Sequence, residues 1–171
     1  LARFFNEVWL GFILIKDFIL NNKIDMSEYT KALSLIEESR YILIVTHVNP
    51  DPDSIGSALA LSNLFHENKI KHKVFNISSD LPQNLDFIPR FDKITDQLPA
   101  FFDLIITVDC GTYKRLGFEP EPSIPLINFD HHKSNNGFGT VNIVDSMKSS
   151  TAELVFEFFK HNGLYITKNS A

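Results

Sequence analysis

Apolar residues along this chain fall into short unbroken runs, separated by stretches whose apolar positions recur at helical spacing. That alternation marks buried parallel strands joined by helical crossovers. The run "YILIVTH" (41–47) predicts a strand covered on both faces, and Ile55, Ala58, Leu59, Leu61, Leu64 and Phe65 then mark one side of a helix over 54–68. "HKVFNI" (72–77), "DLIITVD" (103–109) and "PLINFD" (125–130) predict three further strands, and "TVNIV" (140–144) a short edge strand. A helix is expected at "SEYTKALSLIEES" (27–39), and another over 149–162, striped by Leu154, Val155, Phe158 and Phe159 and ended by Gly163. Residues 78–101 hold three prolines and read as loop with helical turns. The expected fold is α/β and Rossmann-like, with a mainly parallel sheet of four to five strands and helices on both faces.

The amino-terminal end does not follow this pattern. Residues 8–15, "VWLGFILI", are continuously apolar, but Lys16 and Asp17 end the run far short of the roughly 20 residues that span a bilayer. No small-residue cleavage site follows, and only Arg3 precedes it, so a signal peptide is not expected. Residues 1–25 read as an apolar extension or leader, and residues 26–171 as the domain, with Met26 as a candidate start.

Composition narrows the function classes. With 44% apolar and 22% charged residues the chain is globular, and its net charge of -5 offers no broad attraction for a long nucleic-acid duplex. A phosphate-bearing ligand would therefore be held by a local device such as a cation or a helix N-terminus. The single cysteine, Cys110, forms no intrachain disulfide, which suits a reducing, cytoplasmic location.

Chemistry concentrates where strands end. The first strand ends in His47, with Asp51 and Asp53 just beyond; the third ends in Asp109; the fourth ends in Asp130, followed by His131 and His132. In a parallel sheet these carboxyl ends share one edge, where α/β folds place their ligands. So many carboxylates and imidazoles in one place call for a neutralising cation. Oxygen and nitrogen donors without a thiolate suit Mn²⁺ or Mg²⁺, and the number of donors suits two ions. Asp51 and Asp53 taken alone also fit an ordinary turn and helix cap.

The segments "HVNPDPDSIGS", "VDCG", "DHHKSN" and "SSTAEL", in that order across residues 42–160, resemble the successive motifs of the DHH phosphoesterases. The last two are most similar to the nanoRNase/pAp phosphatase (oligoribonuclease and pAp phosphatase) group of that family. The resemblance implies a metal-dependent hydrolase holding two Mn²⁺ ions, with Mg²⁺ or Co²⁺ as alternatives. His47, Asp51 and Asp109 would bind one ion, and Asp53, Asp109 and His131 the other. His132 would face the scissile phosphate and Asp130 would orient the adjacent imidazole. Ser149, Ser150 and Thr151, with Glu153 closing a capping box on Ser150, would offer amides to a phosphate.

Two departures stand out. Pro52 occupies a position where the family usually has a small residue. The family also has a further aspartate ligand and a DHHA1 domain downstream, so a DHH domain truncated at its carboxy-terminal end, without DHHA1, is expected here. The implied substrates are short oligonucleotides, linear dinucleotides or 3′-phosphoadenosine 5′-phosphate. Inorganic pyrophosphate hydrolysis, or a non-catalytic metal- or nucleotide-binding module, are the alternatives. No membrane span is expected, and a homodimer through the apolar amino-terminal segment is a candidate assembly.

Overall fold

Runs of β-branched and aliphatic residues bury both faces of a strand, and here they pair as one wholly parallel sheet. The computed structural model describes residues 27–171 apart from Ser79, so the readings placed on residues 1–25 and on Met26 lie outside the described residues. The strands are β1 (Ile42–Thr46), β2 (His72–Phe75), β3 (Ile94–Thr95), β4 (Leu104–Val108), β5 (Leu126–Asp130) and β6 (Val141–Val144). They lie in the order β3-β2-β1-β4-β5-β6. Three α-helices accompany them: α1 (Glu28–Glu38), α2 (Pro52–Glu67) and α3 (Thr151–His161).

The sheet therefore has six strands where four to five were expected. The extra one, β3, is only two residues long and pairs with Val74 and Phe75. It lies in the proline-bearing loop, too short for periodicity to reveal.

Strand order dictates which face each crossover covers. From β1 the chain moves one way along the sheet to β2, and from β4 it moves the other way to β5. Because parallel crossovers are right-handed, these connections lie on opposite faces. Helix α2 covers the first face together with α1 and α3. Their side chains, among them Ile36, Leu61, Phe65, Leu154 and Phe158, pack on Ile42, Ile44, Ile106, Ile127 and Phe129. The second face, lined by Leu43, Val45, Ile105 and Leu126, is covered by Phe102, Phe118, Phe138 and a 3-10 turn at Tyr113–Leu116. Among the described residues, then, all three α-helices share one face. Where helices on both faces were expected, the second face carries only the 3-10 turn of the β4–β5 connection, the rest of which runs as loop. Phe129, Phe158 and Phe159 are fully or almost fully buried, and cutting any one back to alanine would cost about 3–5 kcal/mol.

Helix ends follow the local sequence. Gly163, at φ 63°, closes α3: its amide donates to the Lys160 carbonyl and that of Leu164 to the Phe159 carbonyl, the paired bonds of a left-handed cap. Helix α2 starts at Pro52, two residues before the expected start at 54. No helix of the described residues is long and apolar enough to cross a membrane.

Candidate metal centre

β1 and β4 are neighbours whose crossovers leave in opposite directions, the switch point at which open α/β sheets place ligands beyond the carboxyl ends of their strands. His47 follows β1 and Asp109 follows β4 there, and both are almost completely buried. The Asp109 amide still donates to the Phe129 carbonyl, but its φ of 58° turns the chain out of the sheet. Aspartate tolerates this left-handed geometry better than most residues, and such conformations gather at functional sites.

Asp109 stands between two groups. Its Oδ2 lies 3.6 Å from His47 Nε2, and Asp51 Oδ1 lies 3.9 Å from that same nitrogen. Its Oδ1 lies 3.6 Å from His131 Nε2, 3.6 Å from His132 Nδ1 and 2.9 Å from the Thr151 hydroxyl, which donates to it. The His47–Asp51–Asp109 and Asp109–His131–His132 sets each bring ligand atoms within 4.8 Å of one another. Spacings of 3.6–3.9 Å are too long for hydrogen bonds, yet near those of atoms sharing one cation at about 2.0–2.2 Å. The donor set, oxygen and imidazole nitrogen around an aspartate with one oxygen on each side, fits divalent ions.

Asp51 and Pro52 account for each other. Asp51 is the N-cap of α2: its Oδ1 accepts from the Ser54 amide at 3.0 Å and its own amide donates to Ser54 Oγ at 3.1 Å. Pro52 takes the first helical position, where a missing N–H costs nothing. A proline also requires extended backbone before it, and Asp51 has φ −100° and ψ 178°. The departure from the family pattern thus suits the turn that presents Asp51. Cap and ligand candidate are one residue, so the two readings of it are compatible.

Asp53 sits in the first turn of α2, with Oδ2 3.7 Å from His131 Nε2. Both its oxygens also accept from the first turn of α3, Oδ2 from the Thr151 amide at 2.8 Å and Oδ1 from the Ala152 amide at 3.0 Å. The N-termini of α2 and α3 thus both face the acidic cluster, and their partial positive charge stabilises it. This arrangement departs from one expectation: the Thr151 amide meets Asp53, not open space for a phosphate. Ser150 Oγ accepts from the Glu153 amide at 3.2 Å as a cap should. The Glu153 carboxylate, however, reaches Ser149, not Ser150, accepting from both its amide and its hydroxyl at 3.0 Å.

The DHH segment is held from below. Asp130 is fully buried, with Oδ1 2.7 Å from His132 Nδ1 and Oδ2 accepting from Asn135 Nδ2 at 2.6 Å. His132 is thereby oriented while its other nitrogen is left for a ligand. Three further residues support the site. Asn76, buried at the end of β2, donates to Thr46 Oγ1 and to the His47 carbonyl at 2.6 and 2.8 Å. Asn135 lies within the "DHHKSN" motif, so a signal for it existed. Arg115 touches His47 from a turn with no motif of its own.

Protonation follows these contacts. Burial opposes charge on the His47 ring, but Asp109, the Val48 carbonyl and Asp51 outweigh it and hold the imidazole above its ordinary value. For Asp109, burial alone would raise the carboxyl; the adjacent His47 ring, the bond from the Thr151 hydroxyl and the charge of His132 keep it below the usual range. Burial lifts the Cys110 thiol to about 11, which leaves it an inert packing residue.

Comparison with known proteins adds an independent line. The profile described as "DHH family, N-terminal domain" matches residues 41–171. A bifunctional oligoribonuclease and PAP phosphatase, NrnA, from Bacillus subtilis is 27% identical over 134 residues, 78% of this chain and 41% of that protein. Its counterpart from Thermus thermophilus is 34% identical over 117 residues, 67% of this chain and 35% of that protein. The crystal structure of an exopolyphosphatase-related protein from Bacteroides fragilis superposes with a TM-score of 0.76 at 26% identity, covering 87% of this chain and 48% of that one. The chain spans less than half the length of each of these relatives.

Proposed function

The chain belongs to the DHH family, and from that membership we propose that it is the metal-binding part of a phosphoesterase. Its substrates would be short oligonucleotides, linear dinucleotides or 3′-phosphoadenosine 5′-phosphate. The observation that carries the reading is Asp109, buried, with one oxygen toward His47 and the other toward His131. His47, Asp51 and Asp109 would hold one divalent ion, and Asp53, Asp109 and His131 the other, Mn²⁺ being the preferred candidate over Mg²⁺ or Co²⁺. Such ions supply charge neutralisation and a water acidic enough to attack phosphorus near neutral pH.

The remaining residues bind and orient. Asp130 takes the proton side of His132 at Nδ1 and leaves Nε2 toward the phosphoryl group, which the doubly protonated ring would bind and supply with a proton. Thr151 serves indirectly, by fixing Asp53 and Asp109, and Ser149 and Ser150 shape the turn that delivers it. The activities for which the relatives are named, oligoribonuclease and PAP phosphatase, support this substrate class.

The test is calorimetry with Mn²⁺, followed by hydrolysis of pApA, pAp and pyrophosphate. Mn²⁺ binding together with turnover of pApA or pAp, lost in Asp109→Ala, is expected. Preference for pyrophosphate would move the chain to the pyrophosphatase alternative, and binding with no turnover at all would make it a non-catalytic module.

A further inference from the structure

One arginine touches the acidic cluster from behind. Arg115 lies in the 3-10 turn that follows β4, and its Nη2 is 2.8 Å from Nδ1 of His47. The backbone fixes it there. Its carbonyl accepts from the Val48 amide at 2.9 Å, and Leu116 beside it is wholly buried. Gly117, at φ 78°, lies so close that a Cβ there would come within 2.4 Å of Ile77 Cγ2 and 3.1 Å of Val48 Cγ1.

Nδ1 of His47 has a second neighbour at the same distance, the Val48 carbonyl at 2.8 Å. The two neighbours require opposite things. A guanidinium only donates, so Arg115 needs a bare lone pair on Nδ1; a carbonyl only accepts, so Val48 needs an N–H there. A neutral imidazole carries its proton on one nitrogen, and that choice also settles what Nε2 offers toward Asp109 and Asp51. With Arg115 bonded, Nε2 bears the proton and faces two carboxylates. With Val48 bonded, Nε2 is a lone pair, the only form that ligates a cation.

We propose that Arg115 is a positioning residue of this site: while no cation is bound it holds His47 in the tautomer protonated on Nε2, and cation binding hands Nδ1 to the Val48 carbonyl and detaches the guanidinium. The proposal rests on the cation-binding reading above. In the exchange one proton leaves Nε2 for solvent and one reaches Nδ1 from solvent, so the ring stays neutral. Occupancy at His47 is thereby transmitted to the turn at Tyr113–Leu116, through the one side chain of that turn that meets the ring.

The tautomer is read directly by proton–nitrogen NMR of the His47 ring at pH 9, well above the ordinary imidazole value of about 6.5, with and without diamagnetic Mg²⁺. Calorimetry with Mn²⁺ runs alongside. The metal-free chain should show the proton on Nε2, and the Mg²⁺ form should show it on Nδ1. Arg115→Met should carry it on Nδ1 in both forms and bind Mn²⁺ about 3- to 10-fold more tightly, since no arginine hydrogen bond has to break. Arg115→Lys, which keeps a cationic donor, should return toward the original tautomer. Nδ1–H in the metal-free original chain, an Arg115→Met tautomer unchanged from it, or tenfold weaker Mn²⁺ binding in Arg115→Met would each overturn the proposal. Failure of the metal reading looks different: the original chain would give no binding heat with either ion.

Discussion

His47 and His72 stand at opposite ends of adjacent strands, and nearly everything about their surroundings is reversed. His47 follows the carboxyl end of β1 and faces Asp109 and Asp51, which keep it above its ordinary value although burial opposes the charge. His72 opens β2, paired with Ile42 at the amino end of β1. There burial lowers its pKa, and Arg90 and His66 add to the effect. Its nitrogens are satisfied by neutral partners, Nδ1 by the Ile70 carbonyl at 2.8 Å and Nε2 by Ser62 Oγ at 2.9 Å. Ser62 Oγ in turn accepts from Arg90 Nε at 3.0 Å.

The difference follows from a parallel sheet's polarity. All strands point the same way, so helix N-termini such as that of α2 cluster at the carboxyl edge and stabilise carboxylates, while helix C-termini, with residues such as His66, lie at the other. One end gathers carboxylates and imidazoles; the other is a hydrogen-bonded latch joining α2 to β2 and to the loop before β3.

Breaking the contrast at its strongest point means removing charge from Asp109 while keeping its shape. Asp109→Asn, which also tolerates the left-handed backbone, should weaken Mn²⁺ binding about 100-fold or more by calorimetry. His72→Gln should leave that affinity unchanged, and an equal loss in both variants would dissolve the distinction between the two ends.

The opposite cut is Ser62→Ala. It strands His72 Nε2 and Arg90 Nε, so urea unfolding should show a loss of about 1–3 kcal/mol with no change in Mn²⁺ affinity. Asp53→Asn probes the shared helix ends. Without the anion at the α3 N-terminus the metal-free protein should lose about 1 kcal/mol, and a variant as stable as the original would show that the two amide bonds contribute nothing.

The smallest effect is in pH dependence and has opposite signs at the two ends. The folded value of His47 is raised, so its contribution to metal-free stability is full below about pH 6.5 and is lost as pH rises through the folded value. That of His72 is lowered, so its contribution is full above about pH 6.5 and is lost as pH falls toward the folded value. Unfolding free energies measured in chelator should therefore fall less on acidification in His72→Gln than in the original chain, and should fall less on raising the pH above 6.5 in His47→Gln.

Much of this is legible in the sequence. Five of the six strands and all three described α-helices follow from runs and periodicities, because a strand buried on both faces must be mostly apolar and a one-sided helix must show its stripe. The ligand candidates were legible for a related reason: aspartates and histidines placed just past apolar runs have only one edge to reach. What spacing hid was anything set by packing between distant segments. β3 is too short to carry a period. The bond from the α3 N-terminus to Asp53 joins residues 53 and 151, and Arg115 reaches His47 across 68 residues.

The sequence by itself thus determined the α/β class, the edge at which the chemistry gathers and the residue types that gather there, since these depend on polarity patterns and on the direction of parallel strands. Only the tertiary structure decided which oxygen of Asp109 faces which histidine, that Asp53 spends its carboxylate on a second helix, and that an arginine and a carbonyl contend for one nitrogen of His47. Those are matters of distance and orientation within an ångström, and they are fixed by packing across the switch point between β1 and β4.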